Sequence, residues 1–328
     1  MNSAQKFCDI GMERIYVKIL KKLRILSQVS IKANYYLWYS SLPLKIKRSI
    51  LKDFLLLTAP VYFVRELIYG RRYEKVASDS LWSVDSNIGF GQIELNSNLI
   101  DEAIRQAKNA LLSNYKVSDG KKYLRIIGSL NNGEITKDSP IYRLFVNDEI
   151  VSFVRNYLNE IPILQDISVL YSPKSNQQAG IKEYSGSQLF HRDGDDLKSM
   201  KIWVLCDTVT LESGPTVLIP YKCSEIVADE IKYRTGRKVE SDLPFQEHLS
   251  SAIHLVGNIG KVFATDTVSC FHYGSRTSSD KDRLVIMAHF VTKYSDYTRP
   301  FLSLKVSTRR KPRNFINMSK LEKIIFRA

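Results

Sequence analysis

From residue 163 onward the chain changes its pattern, and that change constrains its fold more than any other feature. Segments 163–172, 187–191, 200–209, 216–220, 261–270 and 283–294 are rich in β-branched and aromatic residues. Clusters of Gly, Pro, Asn, Asp and Ser separate them. Short runs of this kind between turn residues read as strands. Several in succession predict an all-β barrel or sandwich. Segment 221–259 interrupts the series with a helix expected at 224–235 and a polar loop. An insertion of that size in a barrel reads as a lid or substrate-recognition segment.

The first half reads differently. Helices are expected near 44–57, 98–115 and 140–158, with a strand at 123–130 between the last two. Ser139-Pro140 supplies a cap and a first-turn proline for the third helix. In 12–28, Met12, Ile15, Tyr16, Ile19, Leu23 and Leu26 follow helical spacing, with Arg14, Lys18, Lys21, Lys22 and Arg24 on the other side. Such a stripe packs on a core more often than it lies on a membrane. The expected fold class is therefore α+β. A basic, mostly helical region covers 1–95, a main domain 96–300 and a basic tail 301–328.

Charge is unevenly placed. Residues 1–75 carry fifteen Lys/Arg against five Asp/Glu, and 301–328 carry eight against one, so the formal +14 of the chain resides in its ends. Basic ends suit an anionic neighbour such as a lipid surface, nucleic acid or phosphorylated carrier, or a solvated face with no partner. Nothing points to nucleic acid specifically. The longest apolar run, 54–64, is broken by Pro60 and closed by Arg65 and Glu66. That is short of the roughly twenty residues a spanning helix needs. The first twenty residues lack the apolar core of a secretory signal. Cys8, Cys206, Cys223 and Cys270 form no CxxC pair, which suits free thiols in a reducing compartment. The cytoplasm is the expected location, with peripheral contact at the inner face of the membrane as an extension through the basic N-terminal helix.

Chemistry concentrates in Gln188-Leu-Phe-His191-Arg-Asp193-Gly-Asp195-Asp196. In a strand, residues i and i+2 share a face, so His191 and Asp193 can offer an imidazole nitrogen and a carboxylate oxygen to one ion. Two His and one carboxylate leave open positions on the metal, the arrangement of non-haem Fe(II) oxygenases. His272 follows the apolar segment 261–270, 81 residues after His191. Arg283 opens the next strand eleven residues later. An arginine there can grip the far end of a dicarboxylate through a two-pronged charged hydrogen bond. HxD alone recurs by chance. In register with a strand-end His and an Arg, inside a β-rich half, it is far more specific. His289 reads as structural, and His248 and His254 as surface residues of the insertion.

These motifs together resemble the phytanoyl-CoA dioxygenase family. The resemblance runs through Ser187-Gln-Leu-Phe-His-Arg-Asp193, Lys201-Ile-Trp-Val-Leu-Cys-Asp207 and Glu212-Ser-Gly-Pro-Thr-Val-Leu-Ile-Pro220. It continues through Gly260-Lys-Val-Phe-Ala-Thr-Asp266, Phe271-His-Tyr-Gly-Ser275 and Arg283, about a third of the chain in all. It implies a double-stranded β-helix (a jelly-roll, cupin-like barrel) with Fe(II), 2-oxoglutarate and dioxygen as cofactor and cosubstrates. It implies His191, Asp193 and His272 as metal ligands and catalytic centre, and Arg283 as the clamp on the 2-oxoglutarate carboxylate. Trp203 and Gln188 match positions that line the cosubstrate pocket in relatives. One departure is Pro220-Tyr-Lys-Cys223, where the family usually reads Pro-Gly-Ser-His.

The expected activity is hydroxylation of a C–H bond in a small, lipid-linked or carrier-linked intermediate, with an anionic substrate suggested by the basic ends. Desaturation and epimerisation can run on the same iron. The competing reading is a non-catalytic basic membrane- or nucleic-acid-binding protein on a degenerate barrel. Asp195 and Asp196 suit a solvated turn, and Asp207 and Asp266 suit turn caps. Tyr273 and Arg276 flank His272 and can face the pocket. Tyr35, Tyr36, Trp38 and Tyr39 suit packing onto the barrel better than stacking on bases.

Overall fold

The computed structural model describes residues 37–58, 82–95, 97–114, 124–127, 135–173, 184–277, 281–292, 294–295 and 319. The amphipathic segment 12–28, Tyr35, Tyr36 and most of the basic tail lie outside these residues. No helix among the described residues is long and apolar enough to cross a membrane.

In chain order the elements are α1 (Leu44–Thr58), β1 (Phe90–Ile93), α2 (Ser97–Asn114), β2 (Leu124–Ile127), α3 (Pro140–Phe145) and α4 (Asp148–Leu158). The barrel strands follow as β3 (Ile163–Ser172), β4 (Ser199–Leu205) and β5 (Val217–Leu218). Helix α5 (Tyr221–Glu230) precedes β6 (Ile253–His254), β7 (Val262–Thr265), β8 (His272–Tyr273) and β9 (Arg283–Val291).

Six strands form one antiparallel sheet in the order β1-β7-β4-β9-β3-β2, and three form a second in the order β6-β5-β8. His191 joins the second sheet by an isolated bridge to His272 in β8. From β3 onward the chain passes back and forth between the two sheets, with the consecutive strands β5 and β6 paired in the smaller one. That winding is the topology of a double-stranded β-helix.

Both faces of the large sheet are buried, which explains why its strands read as continuous apolar runs rather than alternating ones. Ile202, Val204, Leu284, Ile286, Ala288 and Phe290 point outward into a core shared with α2, α3 and α4. Their neighbours Trp203, Leu205, Val285 and Met287 point into the barrel. Covering a side chain such as the fully buried Phe290 stabilises the fold by roughly 1.5–3 kcal/mol. The same two-residue period turns Lys201 and Arg283 inward, beside Trp203 and Val285.

The expected helix 140–158 is two helices. Ser139 caps α3 by accepting from Tyr142 N at 3.2 Å, with Pro140 in the first turn. Asn147 then adopts an extended backbone and caps α4, accepting from Ile150 N at 2.9 Å. Its side chain offers the backbone an alternative to continuing the first helix.

The barrel strands also differ from expectation. Segment 187–191 is not a regular strand: Gly186–Gln188 is a 3-10 turn, and within it only Phe190 and His191 form bridges, to Val239 and His272. Segment 261–270 stops pairing at Thr265, because Asp266 Oδ1 accepts from Val268 N at 3.1 Å and Ser269 N at 3.0 Å and turns the chain. The helix of the insertion starts at Tyr221 rather than 224 and ends at Glu230, just before Lys232 with φ 49°.

The N-terminal part of the described chain is fastened to the metal-motif loop. Trp38, fully buried, donates from Nε1 to Gly194 O at 3.2 Å, and Tyr39 OH donates to the same oxygen at 3.4 Å. Arg48 in α1 donates to Leu197 O at 2.7 Å, and Lys47 donates to Thr235 Oγ1 at 3.0 Å. These aromatics pack on the barrel.

Candidate metal centre

The ligand motif is assembled by backbone pairing. His191 N donates to His272 O at 3.1 Å, and His272 N returns the bond to His191 O at 2.9 Å. This places the two imidazoles side by side, with ring centroids 4.2 Å apart and planes tilted by 42°. Asp193 N donates to Thr267 O at 2.9 Å, which keeps its carboxylate on the same side.

The carboxylate oxygens lie 3.9 Å from His191 Nε2 and 3.8 Å from His272 Nε2. One ligand atom from each residue falls within 4.8 Å of the others. The tautomers follow from the neighbours. His191 Nδ1 faces Leu189 O at 2.8 Å, and His272 Nδ1 faces Cys270 O at 3.2 Å. A carbonyl can only accept, so each Nδ1 carries the proton and each Nε2 presents a lone pair toward Asp193.

Electrostatics agree with a metal-binding set. Burial pushes the His191 imidazole down to about 4, against the opposing pull of Asp193. Burial likewise holds His272 well below its ordinary value. Burial raises the Asp193 carboxyl, but Lys201, His272 and His191 outweigh it and hold it well below the usual carboxylate range. At neutral pH the set is two neutral imidazoles and one carboxylate.

The three residues line a cavity of about 330 Å³ that continues to Arg283. The Arg283 guanidinium is buried and donates to Ser275 Oγ at 2.9 Å, Ser172 Oγ at 3.2 Å and Thr216 Oγ1 at 3.5 Å. Burial lowers it to about 10, so it stays charged at neutral pH. Among the described residues its partners are hydroxyls, not carboxylates. Its Nε has no hydrogen-bond partner among the described residues. Trp203 forms part of the wall and donates from Nε1 to Thr265 Oγ1 at 2.9 Å.

Gln188 does something else. It is buried outside the cavity wall, where its neighbour Ser187 stands instead. Its Nε2 donates to Ser275 O at 2.6 Å, and its backbone carbonyl accepts from Arg276 Nε at 2.7 Å. The 3-10 turn at 186–188 rotates it off the face that a strand would have given it. Tyr273 lines the cavity, whereas Arg276 turns away to a two-pronged pair with Asp242 at 2.5 and 3.0 Å. Asp196 is fully buried rather than solvated, with Leu197 N donating to it at 2.6 Å and Thr292 Oγ1 at 2.7 Å.

Two cations in the cavity wall escaped sequence reasoning. Lys201 sits 2.6 Å from Asp193 Oδ2. Its position two residues before Trp203 on one strand was a usable signal for an inward side chain. Lys238 comes from the polar loop of the insertion, where nothing in the sequence distinguishes it. The insertion packs against the residues next to the two histidines: Phe245 stacks on Phe190 at 3.8 Å, and Phe245 and Tyr233 meet Phe271 edge-on.

No protein-family model matches the sequence, and no curated protein matches it. Among solved structures, the chain is similar to the non-haem α-ketoglutarate-dependent epimerase SnoN from nogalamycin biosynthesis, at 15% identity and TM-score 0.43, over 62% of this chain and 78% of that one. It is similar to EctD from S. alaskensis with 2-oxoglutarate and 5-hydroxyectoine, at 16% identity and TM-score 0.44, over 66% and 79%. A third is AviO1 from Streptomyces viridochromogenes Tue57, at 12% identity and TM-score 0.42, over 63% and 91%.

Proposed function

We propose that this chain is a non-haem Fe(II)- and 2-oxoglutarate-dependent dioxygenase of the phytanoyl-CoA dioxygenase type. The observation that carries the reading is one cavity with a two-His, one-carboxylate set at one end and, at the other, a buried Arg283 without an acidic partner among the described residues. Two imidazoles and a carboxylate suit Fe(II) and leave positions for cosubstrate and dioxygen. A buried guanidinium among hydroxyls suits the distal carboxylate of a dicarboxylic acid.

His191, Asp193 and His272 would hold the iron. When bound, iron and 2-oxoglutarate supply the oxidising power for C–H cleavage. The residues of the chain do the rest. Arg283, Thr216 and Ser275 orient the cosubstrate, and Trp203 limits its width. Leu189 O and Cys270 O hold the imidazoles in the metal-binding tautomer. Phe190, Phe245 and Phe271 form an apolar cluster beside the two His ligands that keeps bulk water from them.

The family assignment is supported by the order of the motifs around His191, Lys201, Gly214 and His272. The departure at 220–223 has a structural counterpart. Pro220 leads directly into α5, where Ser224 Oγ accepts from Phe271 N at 2.9 Å and donates to Ile219 O at 2.9 Å. The substrate is read as a small, lipid-linked or carrier-linked intermediate. Asp193 fills the position a halide would need, which favours hydroxylation over halogenation.

The test is succinate release from 2-oxoglutarate by anaerobically Fe(II)-loaded protein in air, beside His191→Ala and Arg283→Gln. Iron-dependent succinate that both variants lose establishes the class. Absence of turnover together with absence of Fe(II)-dependent 2-oxoglutarate binding sinks it.

A further inference from the structure

The cavity holds more positive charge than iron chemistry requires. Lys201 is neutralised by Asp193 at 2.6 Å. Arg283 faces the end assigned to the cosubstrate. Lys238 is left over. It lines the same cavity beside His191, Asp193 and Tyr273, and it has no hydrogen-bond or ion-pair partner among the described residues.

Lys238 is not a loosely tethered surface lysine. Its neighbour Val239 pairs with Phe190, donating from its backbone N to Phe190 O at 2.9 Å. One residue back, Arg237 O accepts from Tyr233 OH at 2.7 Å, and the same hydroxyl accepts from Arg192 N at 3.0 Å. The loop is thus fastened on both sides of Lys238 to the strand segment that carries the first metal ligand. A half-buried ammonium with no ion pair among the described residues, attracted only at a distance by an Asp193 that Lys201 already holds, costs folding stability, and a bound anion offsets that cost.

We propose that Lys238 is the substrate-recognition cation of this site, and that the substrate carries an oxyanion, a carboxylate or a phosphate monoester, next to the carbon that reacts. This deepens the dioxygenase reading and rests on it for the identity of the reacting centre. The charge balance points the same way. Fe(II) and a dianionic cosubstrate cancel, as do Lys201 and Asp193, and Arg283 and Lys238 leave the filled cavity cationic. The burial that lowers Lys238 to about 8 leaves it mostly protonated at neutral pH. A neutral hydrocarbon substrate would gain nothing from this lysine.

Saturation-transfer NMR titrations of the full chain with methylphosphonate, propionate and the neutral control 1-propanol test this. They are run on protein loaded with Zn(II) and saturating 2-oxoglutarate, and again without metal. The expected result is saturable binding of at least one anion to a single site, weakened tenfold or more in Lys238→Gln and restored in Lys238→Arg, with 1-propanol not binding. The tighter anion says whether carboxylate or phosphate is preferred. Unchanged anion binding in Lys238→Gln overturns the proposal, as does equal binding of 1-propanol. A tenfold loss of 2-oxoglutarate affinity in Lys238→Gln also overturns it, because the lysine would then serve the cosubstrate. Anion binding that needs Lys238 in protein that takes up neither metal nor 2-oxoglutarate upholds the anion site and removes the dioxygenase reading instead.

Discussion

Lys201 Nζ lies 2.6 Å from Asp193 Oδ2, so the carboxylate of the metal set enters the site already oriented by an ammonium from β4. Such outer partners fix the direction of a ligand, and their removal commonly costs about 10- to 100-fold in metal affinity. Lys201→Met is therefore expected to weaken Co(II) binding by about that factor, as measured by anaerobic spectroscopic titration. Tighter binding would mean that charge repulsion outweighs orientation, and would refute the orienting role.

Arg283 carries a buried charge whose partners are three hydroxyls. An uncompensated buried charge destabilises a fold, and losing one half of a buried charged pair costs a complex about 2–5 kcal/mol. Arg283→Gln should thus weaken 2-oxoglutarate binding by about 100-fold or more in calorimetry while leaving the melting temperature of the free protein the same or higher. A variant that binds 2-oxoglutarate normally would place the dicarboxylate elsewhere.

Lys47 of α1 is almost fully buried, donates to Thr235 Oγ1, and is lowered to about 8, first by burial and then by Arg192, with Glu225 opposing. Its folded value lies below its unfolded one, so between about pH 8 and 10.5 the unfolded chain binds more protons and stability rises with pH. Below pH 8 the buried ammonium is a net cost. Lys47→Met is expected to melt a few degrees higher at pH 7, with the advantage shrinking as pH climbs through 8 to 10. Thermal melts of both proteins across that range give the difference curve; a variant less stable at pH 7 contradicts it.

Gly214 has φ 65°, and a Cβ there would stand 2.7 Å from Thr277 N and 2.8 Å from Arg276 C. The turn rests against the loop that presents Ser275 to Arg283, with Ser275 N donating to Gly214 O at 3.1 Å. Gly214→Ala should destabilise the fold by about 1–3 kcal/mol and raise the 2-oxoglutarate KM. Chemical denaturation and steady-state kinetics read the two effects; an unaffected KM would uncouple the turn from the clamp.

Much of this protein was legible in the linear chain because the signals are local. The β-branched runs separated by turn residues announce a barrel, and β3 matches its expected span, Ile163–Ser172, residue for residue. His191 and Asp193 share a side because they are two apart, and the strand before His272 and the strand opened by Arg283 are visible as apolar segments. Boundaries were less legible where a side chain competes with the backbone, as Asn147 does between two helices and Asp266 does at the end of β7.

What the sequence alone determined is therefore most of the element types, the barrel class and the three candidate ligands, His191, Asp193 and His272, that the fold brings together. Tertiary structure alone decided that Gln188 supports the Ser275 loop rather than lining the pocket, that Asp196 is buried, and that Lys238 enters the cavity. The reason is physical. A side chain's partners in a closed barrel come from strands far apart in sequence, and a lysine in a polar loop reads as solvated until the Phe190–Val239 pairing turns that loop over the site.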